Sequence, residues 1–358
     1  MTGHAPQRHP PWGWVLLVVA LAALGLRQLR QSEQASPTPH GPVVLRFAHN
    51  QPTPRILHRA AVLFKELVET RTHGYYDVQI FPAQQLGSNR DEVEQTMLGI
   101  IELTQQPAAI LSLFVPKVMI LDFPFLWPPQ GDVVGQVLDG PLGQELLQAL
   151  EGKGLKGVAI WNSGFRQITT HTKPIRTLDD FTGLKMRVIP SALLAAQYTA
   201  WGASPIPVDY KELYTALEQG LVDGQENPAG TILDMRLFEV QKFLTESRHS
   251  ASFSLSVFYK PWFDAQTPAH QAILTQALRE AGQWEWQATQ DYDTAALNTL
   301  RAAGVHVERL TEATREALRQ RALQVQAQFA GQVGQDYLQR VQAAIAQATP
   351  SCVARQEC

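Results

Sequence analysis

From Val43 onward the apolar and polar positions repeat with two alternating periods. Val43–Ala48 is a short apolar run of strand type. Ile56 to Thr72 then places Leu57, Ala60, Ala61, Phe64, Leu67 and Val68 at the three-to-four spacing of one helix face. Val78–Phe81 predicts the next strand, Asp91–Leu98 a helix, and Ile100–Thr104 a return to strand. Three more strands are predicted at Gly157–Trp161, Gln167–Thr170 and Leu184–Val188. A helix over Ser191–Trp201 has Ser191 at its N-cap, and Lys211–Gln219 is another. Ala251–Tyr259 alternates as a long strand. Strand and helix in this succession predict α/β layers. A helical stretch follows from about Pro268 to Ala303, with Ala269, Ile273, Leu278 and Ala281 at helical spacing. It exceeds the roughly 25 residues of an ordinary domain helix and is long enough to bridge two lobes. Thr311–Phe329 and Asp336–Ala346 supply two further helices, and no internal repeat is evident.

Before Val43 the pattern changes. Arg8 and His9 precede an uncharged apolar run from Trp12 to Leu26, shorter than the roughly 20 residues that span a bilayer. It reads as the core of an export signal, with small residues at Ala23-Leu-Gly25 for cleavage. Arg27 and Arg30 just beyond leave an uncleaved N-terminal anchor as the alternative. Either way the body of the chain is exported, and residues 27–42 form a linker. Cys352 and Cys358 are the only cysteines. In an oxidising compartment they can close a small loop in the tail, and their spacing does not suit a zinc site.

The chain has 358 residues, enough for two domains, with 45% apolar and 18% charged residues, a globular balance. A formal net charge of −3 provides no broad positive field, which argues against nucleic acid as a partner. Any anion site must therefore be local. Arg187 and Arg166 are the candidates, because each sits by a short apolar strand. Two guanidinium forks from neighbouring strands suit the paired oxygens of a carboxylate. Structural ion pairs are the competing reading of both.

No Gly-x-Gly-x-x-Gly follows a strand, and no Walker-type Gly-Lys-Ser/Thr or Gly-x-Ser-x-Gly elbow occurs. The histidines are scattered, without the i, i+4 pairing of a helical metal site, so neither metal nor nucleotide cofactor is expected. Asp179-Asp180 reads as a solvated turn, and His49 and His249 as structural or wall residues. With no assembled catalytic constellation, binding is favoured over catalysis.

Four stretches carry a family resemblance: Phe81–Gly87, Gly183–Val188, Gly202–Pro207 and Tyr214–Pro228, the last containing Val222-Asp-Gly-Gln-Glu-Asn-Pro228. In this order they closely resemble the substrate-binding proteins of tripartite ATP-independent periplasmic (TRAP) transporters, of the dicarboxylate-binding type. The resemblance covers about Val43 to Ala346, and Phe238–Leu244 continues it. It implies a two-lobed α/β periplasmic-binding-protein fold, with a hinge and a long helix spanning both lobes. The first lobe is expected over residues 43–164 plus 253–292, the second over 165–252 plus 293–346, and a tail over 347–358. The resemblance further implies that Arg187 clamps a ligand carboxylate and that Arg166 is a second family arginine. Asn227 contacts or supports the clamp, Asn50 faces it from the opposite lobe, and Tyr210 forms an aromatic wall. Gln105 or Gln106, Trp161 beside the first crossover, Asn89 and His249 complete the expected ligand-binding residues. The segment Thr104–Ile110 lacks the further charges that sialic-acid-binding members carry, so a sialic acid is not expected.

The function implied is capture of a small organic acid outside the cytoplasmic membrane and its delivery to a TRAP-type membrane permease. Two alternatives are a periplasmic sensory subunit and an enzyme acting on an organic acid, with His249 and Tyr210 as acid–base pair.

Overall fold

The computed structural model describes residues 41–129 and 131–349. The expected export segment, most of the linker, and both cysteines lie outside the described residues. Among the described residues eleven strands form: β1 Val43–His49, β2 Tyr76–Phe81, β3 Leu103–Pro107, β4 Leu155–Phe165, β5 Gln167–Thr170, β6 Lys185–Val188, β7 Ser204–Pro207, β8 Gly224–Asn227, β9 Phe243–Glu246, β10 Ala251–Tyr259 and β11 His306–Arg309. They assemble into two sheets, in the orders β2-β1-β3-β10-β4 and β11-β9-β5-β8-β6-β7. The chain is thus two-lobed α/β, with one sheet at the heart of each lobe.

The first sheet is mixed. β1 runs parallel to β2 and β3, whereas β10 is antiparallel to β3 and β4. One face is covered by α1 (Ile56–Arg71), whose stripe Leu57, Ala60, Ala61 and Phe64 is buried against Leu45 and Phe47. In the second sheet β6 is parallel to β7 and β8, and β5 is antiparallel to β8 and β9. Edge strand β7 carries Pro205 and Pro207, tolerable because an outer strand has no neighbour for the missing N–H groups. Gly224 is required where β8 enters the sheet: a Cβ there would lie 2.5 Å from the Thr169 carbonyl oxygen and 2.8 Å from the Met186 sulfur.

The predicted long helix is one element, Pro268–Ala302, of 35 residues or about 50 Å. Thr267 caps it by accepting from His270 N–H, and Pro268 occupies the first turn. Its N-terminal half buries Leu274, Ala277, Leu278 and Ala281 in the core of the first sheet. Its C-terminal half buries Ala296, Leu297 and Leu300 with Leu213, Ile232 and Leu244 of the second. One rigid rod thereby belongs to both cores. The helix Ala192–Ala200 is capped by Ser191, which accepts from Leu194 N–H, as its sequence predicts.

Several elements differ from expectation. β3 begins at Leu103 instead of Ile100, because Ile100 lies in the exposed turn after the preceding helix. Asp180 is not a free turn residue: its carboxylate accepts from the N–H groups of Arg176 and Thr177 and forms a capping box with Thr177. The chain passes from the first sheet to the second at Arg166, between β4 and β5, and back between β9 and β10. At the first passage Gly164 has φ +99°, and a Cβ there would come within 2.4 Å of the Asp293 carboxylate on the long helix.

Candidate functional site

Open α/β sheets place ligands beyond the carboxyl ends of their strands. Here those ends converge. Asn50 follows β1, Pro107 ends β3, Ile189 follows β6 and Asn227 ends β8, and all four line one cavity of about 40 Å³. Arg166 enters the same cavity from the passage between the sheets, and Arg187 from the third position of β6. Tyr210 and Asn89 complete it from loop and helix ends.

The electrostatics are one-sided. Arg187 is 1% exposed, and its Nε donates to the Val208 carbonyl at 3.0 Å while Nη1 has no partner. Burial, with Arg166 nearby, lowers its pKa to about 10, so it is a cation at neutral pH. Arg166 is 3% exposed and has Glu226 Oε1 at 3.8 Å from Nη1, close enough for an ion pair but with no hydrogen bond. Burial alone would raise the Glu226 carboxyl. The opposing effects of Arg166 and His249 outweigh it and hold Glu226 down to about 2. Asp122, fully buried behind Arg166, is pushed up to about 7 by desolvation, and neither of its oxygens has a partner. Two guanidiniums therefore face one firmly ionised carboxylate, and the surplus positive charge lies at Arg187. A buried, unmatched cation with a free donor is complementary to an anion.

The opposite wall is neutral. Asn50 Oδ1 accepts from Gln51 Nε2 at 2.9 Å, and Gln51 Oε1 accepts from the Tyr210 hydroxyl at 2.9 Å. The second of these bonds crosses between the lobes. So does the bond from Gln84 Nε2 to Asp209 Oδ1 at 3.0 Å, and so does the ion pair of Arg55 Nη1 with Asp234 Oδ2 at 2.8 Å. Asn89 is 3% exposed with its Oδ1 unpartnered. Asn227 donates to Gln225 Oε1 at 2.5 Å, which fixes its amide at the end of β8.

Six of the nine residues singled out from the sequence thus meet at one cavity: Arg187, Arg166, Asn227, Asn50, Tyr210 and Asn89. Three do not. Gln105 is on β3, but its amide is spent on Ser254 and Ser256 of neighbouring β10. Trp161 packs against Gly282 of the long helix and donates to the Leu278 carbonyl at 3.0 Å. His249 is fully buried between Glu226 (2.5 Å) and Ser247 (2.7 Å), behind Arg166 and not in the cavity. It is also not placed to act with Tyr210 as an acid–base pair. His49, expected as structural, is buried against His58 at 3.1 Å, and burial lowers its pKa to about 3. Arg90 lies on the surface, paired with Glu94.

Sequence reasoning missed Gln51 and Arg55. The signal was their position in the polar loop Asn50–Arg55, directly after the carboxyl end of β1. A larger cavity, about 250 Å³, runs between β4, the helices Gly131–Leu138 and Pro141–Gln148, and the long helix. Its walls include Trp161, Phe253 and Trp286, and its arginine, Arg279, is solvent-exposed. It lacks the buried unmatched charge, which outweighs volume in locating an anion site. Among the described residues no cluster of three or more His, Cys, Asp or Glu could hold a metal ion, and no helix is long and apolar enough to cross a membrane.

Residues 47–332 match the profile of the DctP family, bacterial extracellular solute-binding protein, family 7. The 2,3-diketo-L-gulonate-binding periplasmic protein YiaO of Escherichia coli (strain K12) is 33% identical over 273 residues, 76% of this chain and 82% of that protein. The C4-dicarboxylate-binding periplasmic protein DctP of Rhodobacter capsulatus is 30% identical over 308 residues, 86% of this chain and 92% of that protein. The crystal structure of the sugar acid binding protein DctPAm from Advenella mimigardefordensis, in complex with galactonate, superposes with a TM-score of 0.83. It is 31% identical and covers 86% of this chain and 99% of that one.

Proposed function

This chain belongs to family 7 of the bacterial extracellular solute-binding proteins, the DctP family, and from that premise we propose which of its residues do the family's work. It is the solute-binding component of a TRAP transporter. It captures a small organic acid and delivers it to a membrane permease. The finer assignment is ours. Arg187 takes the ligand's carboxylate, Arg166 stands beside it as second cation, Asn227 donates a neutral hydrogen bond, and Tyr210 closes the wall. Asn50 and Asn89 meet the ligand from the first lobe.

The observation that carries this reading is the buried Arg187 guanidinium, which has a free Nη1 and no carboxylate of its own. The lobes divide as residues 43–164 plus 253–292 and 165–252 plus 293–346. The two passages between the sheets act as the hinge, and the ligand is held when the lobes close. The N-terminal apolar run exports the chain, which works in the periplasm, and a permease of the TRAP type is its partner. Binding leaves the acid chemically unchanged.

The test is calorimetric titration of the chain, stripped of ligand by unfolding and refolding, against C3–C6 organic acids and sugar acids. Binding of one acid at micromolar affinity or tighter, lost in Arg187→Ala, is the expected result. Retained micromolar affinity in that variant would sink the assignment. Recovery of the bound acid unaltered after long incubation separates carrier from enzyme.

A further inference from the structure

We propose that Asp234 sets the ligand class of this cleft. By holding Arg55 it leaves charge for a single carboxylate, and the acid selected is a hydroxylated monocarboxylate of the aldonic kind. The proposal rests on the carboxylate reading of the site and narrows it.

Among the described residues Arg55 is the one cation on the first-lobe wall of the cavity. In the right state it would be the natural partner for a second carboxylate at the far end of a dicarboxylic acid. It is not in that state. Its Nη1 pairs with Asp234 Oδ2 at 2.8 Å, with the two side chains only 5% and 10% exposed, so its charge is matched although its Nε has no hydrogen-bond partner. The other Asp234 oxygen accepts from the Tyr292 hydroxyl, so the carboxylate is held in place from the long helix. A dicarboxylate would have to compete with an ion pair already buried and hydrogen-bonded.

What remains on that wall is neutral. Asn50, Gln51 and Asn89 offer amides, and Ser254 a hydroxyl. Asn89 Oδ1 is a buried acceptor without a donor. Whichever way its amide is turned, Asn89 supplies one acceptor and donors, the complement of a hydroxyl group. A carboxylate only accepts. Placed here, it would leave the Asn89 acceptor unsatisfied and lose its own hydration without meeting a free charge. Sites built to hydrogen-bond a hydroxyl reject ligands that lack it more strongly than apolar pockets reject an extra methylene.

Asp234 does not itself line the cavity. It is a positioning residue whose effect is to cancel a charge, and the readout that isolates this role is a ratio of affinities. The full chain, stripped of ligand, is titrated calorimetrically with D-erythronate and with succinate, acids of equal carbon number, one a hydroxylated monocarboxylate and the other a dicarboxylate without hydroxyls. Galactonate serves as a longer hydroxylated probe. Wild type is expected to bind the better hydroxy acid at least about tenfold tighter than succinate. In Asp234→Asn, Arg55 is freed and the ratio should shrink at least about fivefold in favour of succinate. The double variant Arg55→Gln, Asp234→Asn should return the ratio to the wild-type value, because no stray charge remains. Loosening of the lobes weakens both acids together and leaves the ratio alone.

A wild type that prefers succinate, or a ratio unmoved in Asp234→Asn, overturns the proposal. Should Asp234→Asn fail to fold, the double variant decides, because Arg55→Gln alone would strand the Asp234 charge and repel the dianion. The ratio should stay at the wild-type value, whereas selective loss of succinate there means that Arg55 takes a second carboxylate. A succinate-preferring wild type that loses binding in Arg187→Ala removes only this inference. A wild type silent to every acid removes the carboxylate reading as well.

Discussion

The two walls of the cleft are built from the same kind of position, the carboxyl ends of strands, yet they carry opposite chemistry. The second-lobe wall presents Arg166 and Arg187, both buried, together with Tyr210 and Asn227. The first-lobe wall presents Asn50, Gln51 and Asn89, and its arginine is cancelled by Asp234. On the proposed reading one wall supplies most of the attraction and the other most of the discrimination. An anion held by a strong, undirected charge gains affinity from it. Amides opposite add little net energy per bond but penalise any group that cannot pair with them.

The largest effect is expected where the charged wall is broken. Arg187→Ala should cost about 2–5 kcal/mol of binding, roughly thirtyfold to several-thousandfold in affinity. Its thermal midpoint should change little, because relief of a buried cation without a carboxylate of its own offsets the lost bond to the Val208 carbonyl. Titration and a melting curve on the same sample check both halves. A variant that binds normally breaks the comparison outright.

The next effect tests how the charged wall stays charged. Asp122 has its folded pKa raised to about 7 by burial beside Arg166. The folded chain thus keeps a proton that the unfolded chain releases from about pH 4 upward. The stability this group contributes is fully present below that pH and is lost as pH rises through about 7, roughly 1–4 kcal/mol in all. Asp122→Asn should flatten that part of the stability–pH curve. Ionisation of Asp122 also places a second negative charge against Arg166. Affinity for the acid should therefore drop about three- to tenfold from pH 6 to 8.5 in wild type, and not in the variant. Denaturant titrations and calorimetry across that range read the two effects separately.

How much of this contrast the chain announced depends on the residue. Arg187 and Arg166 were legible as candidates because they sit beside short apolar strands, where a polar side chain has few places to point, whereas Asn227 came only from the family resemblance of the polar stretch Val222–Pro228. The neutral wall was only half legible. Asn50 and Asn89 were found, but Gln51, Arg55 and Asp234 acquire their roles through contacts between lobes, which no local pattern records. β8 was invisible as a strand for a related reason. Its residues Gly224-Gln-Glu-Asn227 are polar, yet all four are buried at the middle of a sheet, where Glu226 and Asn227 serve the site instead of the core. Gln105, Trp161 and His249 erred in the opposite direction. Each is buried near the passage between lobes, and burial with a polar group resembles pocket lining until its partners are known. The long helix was the clearest element of all, since thirty-five residues leave many turns over which helical spacing can declare itself.

A smaller effect probes the seam where the two walls meet. Tyr210 donates its hydroxyl to Gln51 across the cleft at 2.9 Å, a bond between the two lobes. Tyr210→Phe keeps the ring as a wall and removes that bond, so about 0.5–1.5 kcal/mol, or two- to tenfold in affinity, should be lost. The loss should appear mainly as faster ligand release, because closure is what holds the acid in place. Stopped-flow dissociation against a competitor measures it. A slower association with unchanged release would assign Tyr210 to the open state.

The smallest effect on binding is expected at Trp161, and it separates the cleft from its scaffold. Trp161 is almost fully buried, and its indole lies so close to Gly282 that a Cβ there would come within 2.5 Å of the ring. Its Nε1–H donates to the Leu278 carbonyl on the long helix. Those contacts fasten β4 to the rod that both lobes share, and none of them touches the 40 Å³ cavity. Trp161→Phe removes the hydrogen bond and part of the ring, and should cost about 1–3 kcal/mol of stability. Gly282→Ala, which forces the ring to move, should cost a similar amount by overpacking. In both variants the affinity for the acid, measured well below the melting transition, should stay within about twofold of wild type. If either variant instead shifts the preference between hydroxylated and dicarboxylic acids, the neutral wall is set through the long helix. The amides that line it would then not be its only source of selectivity.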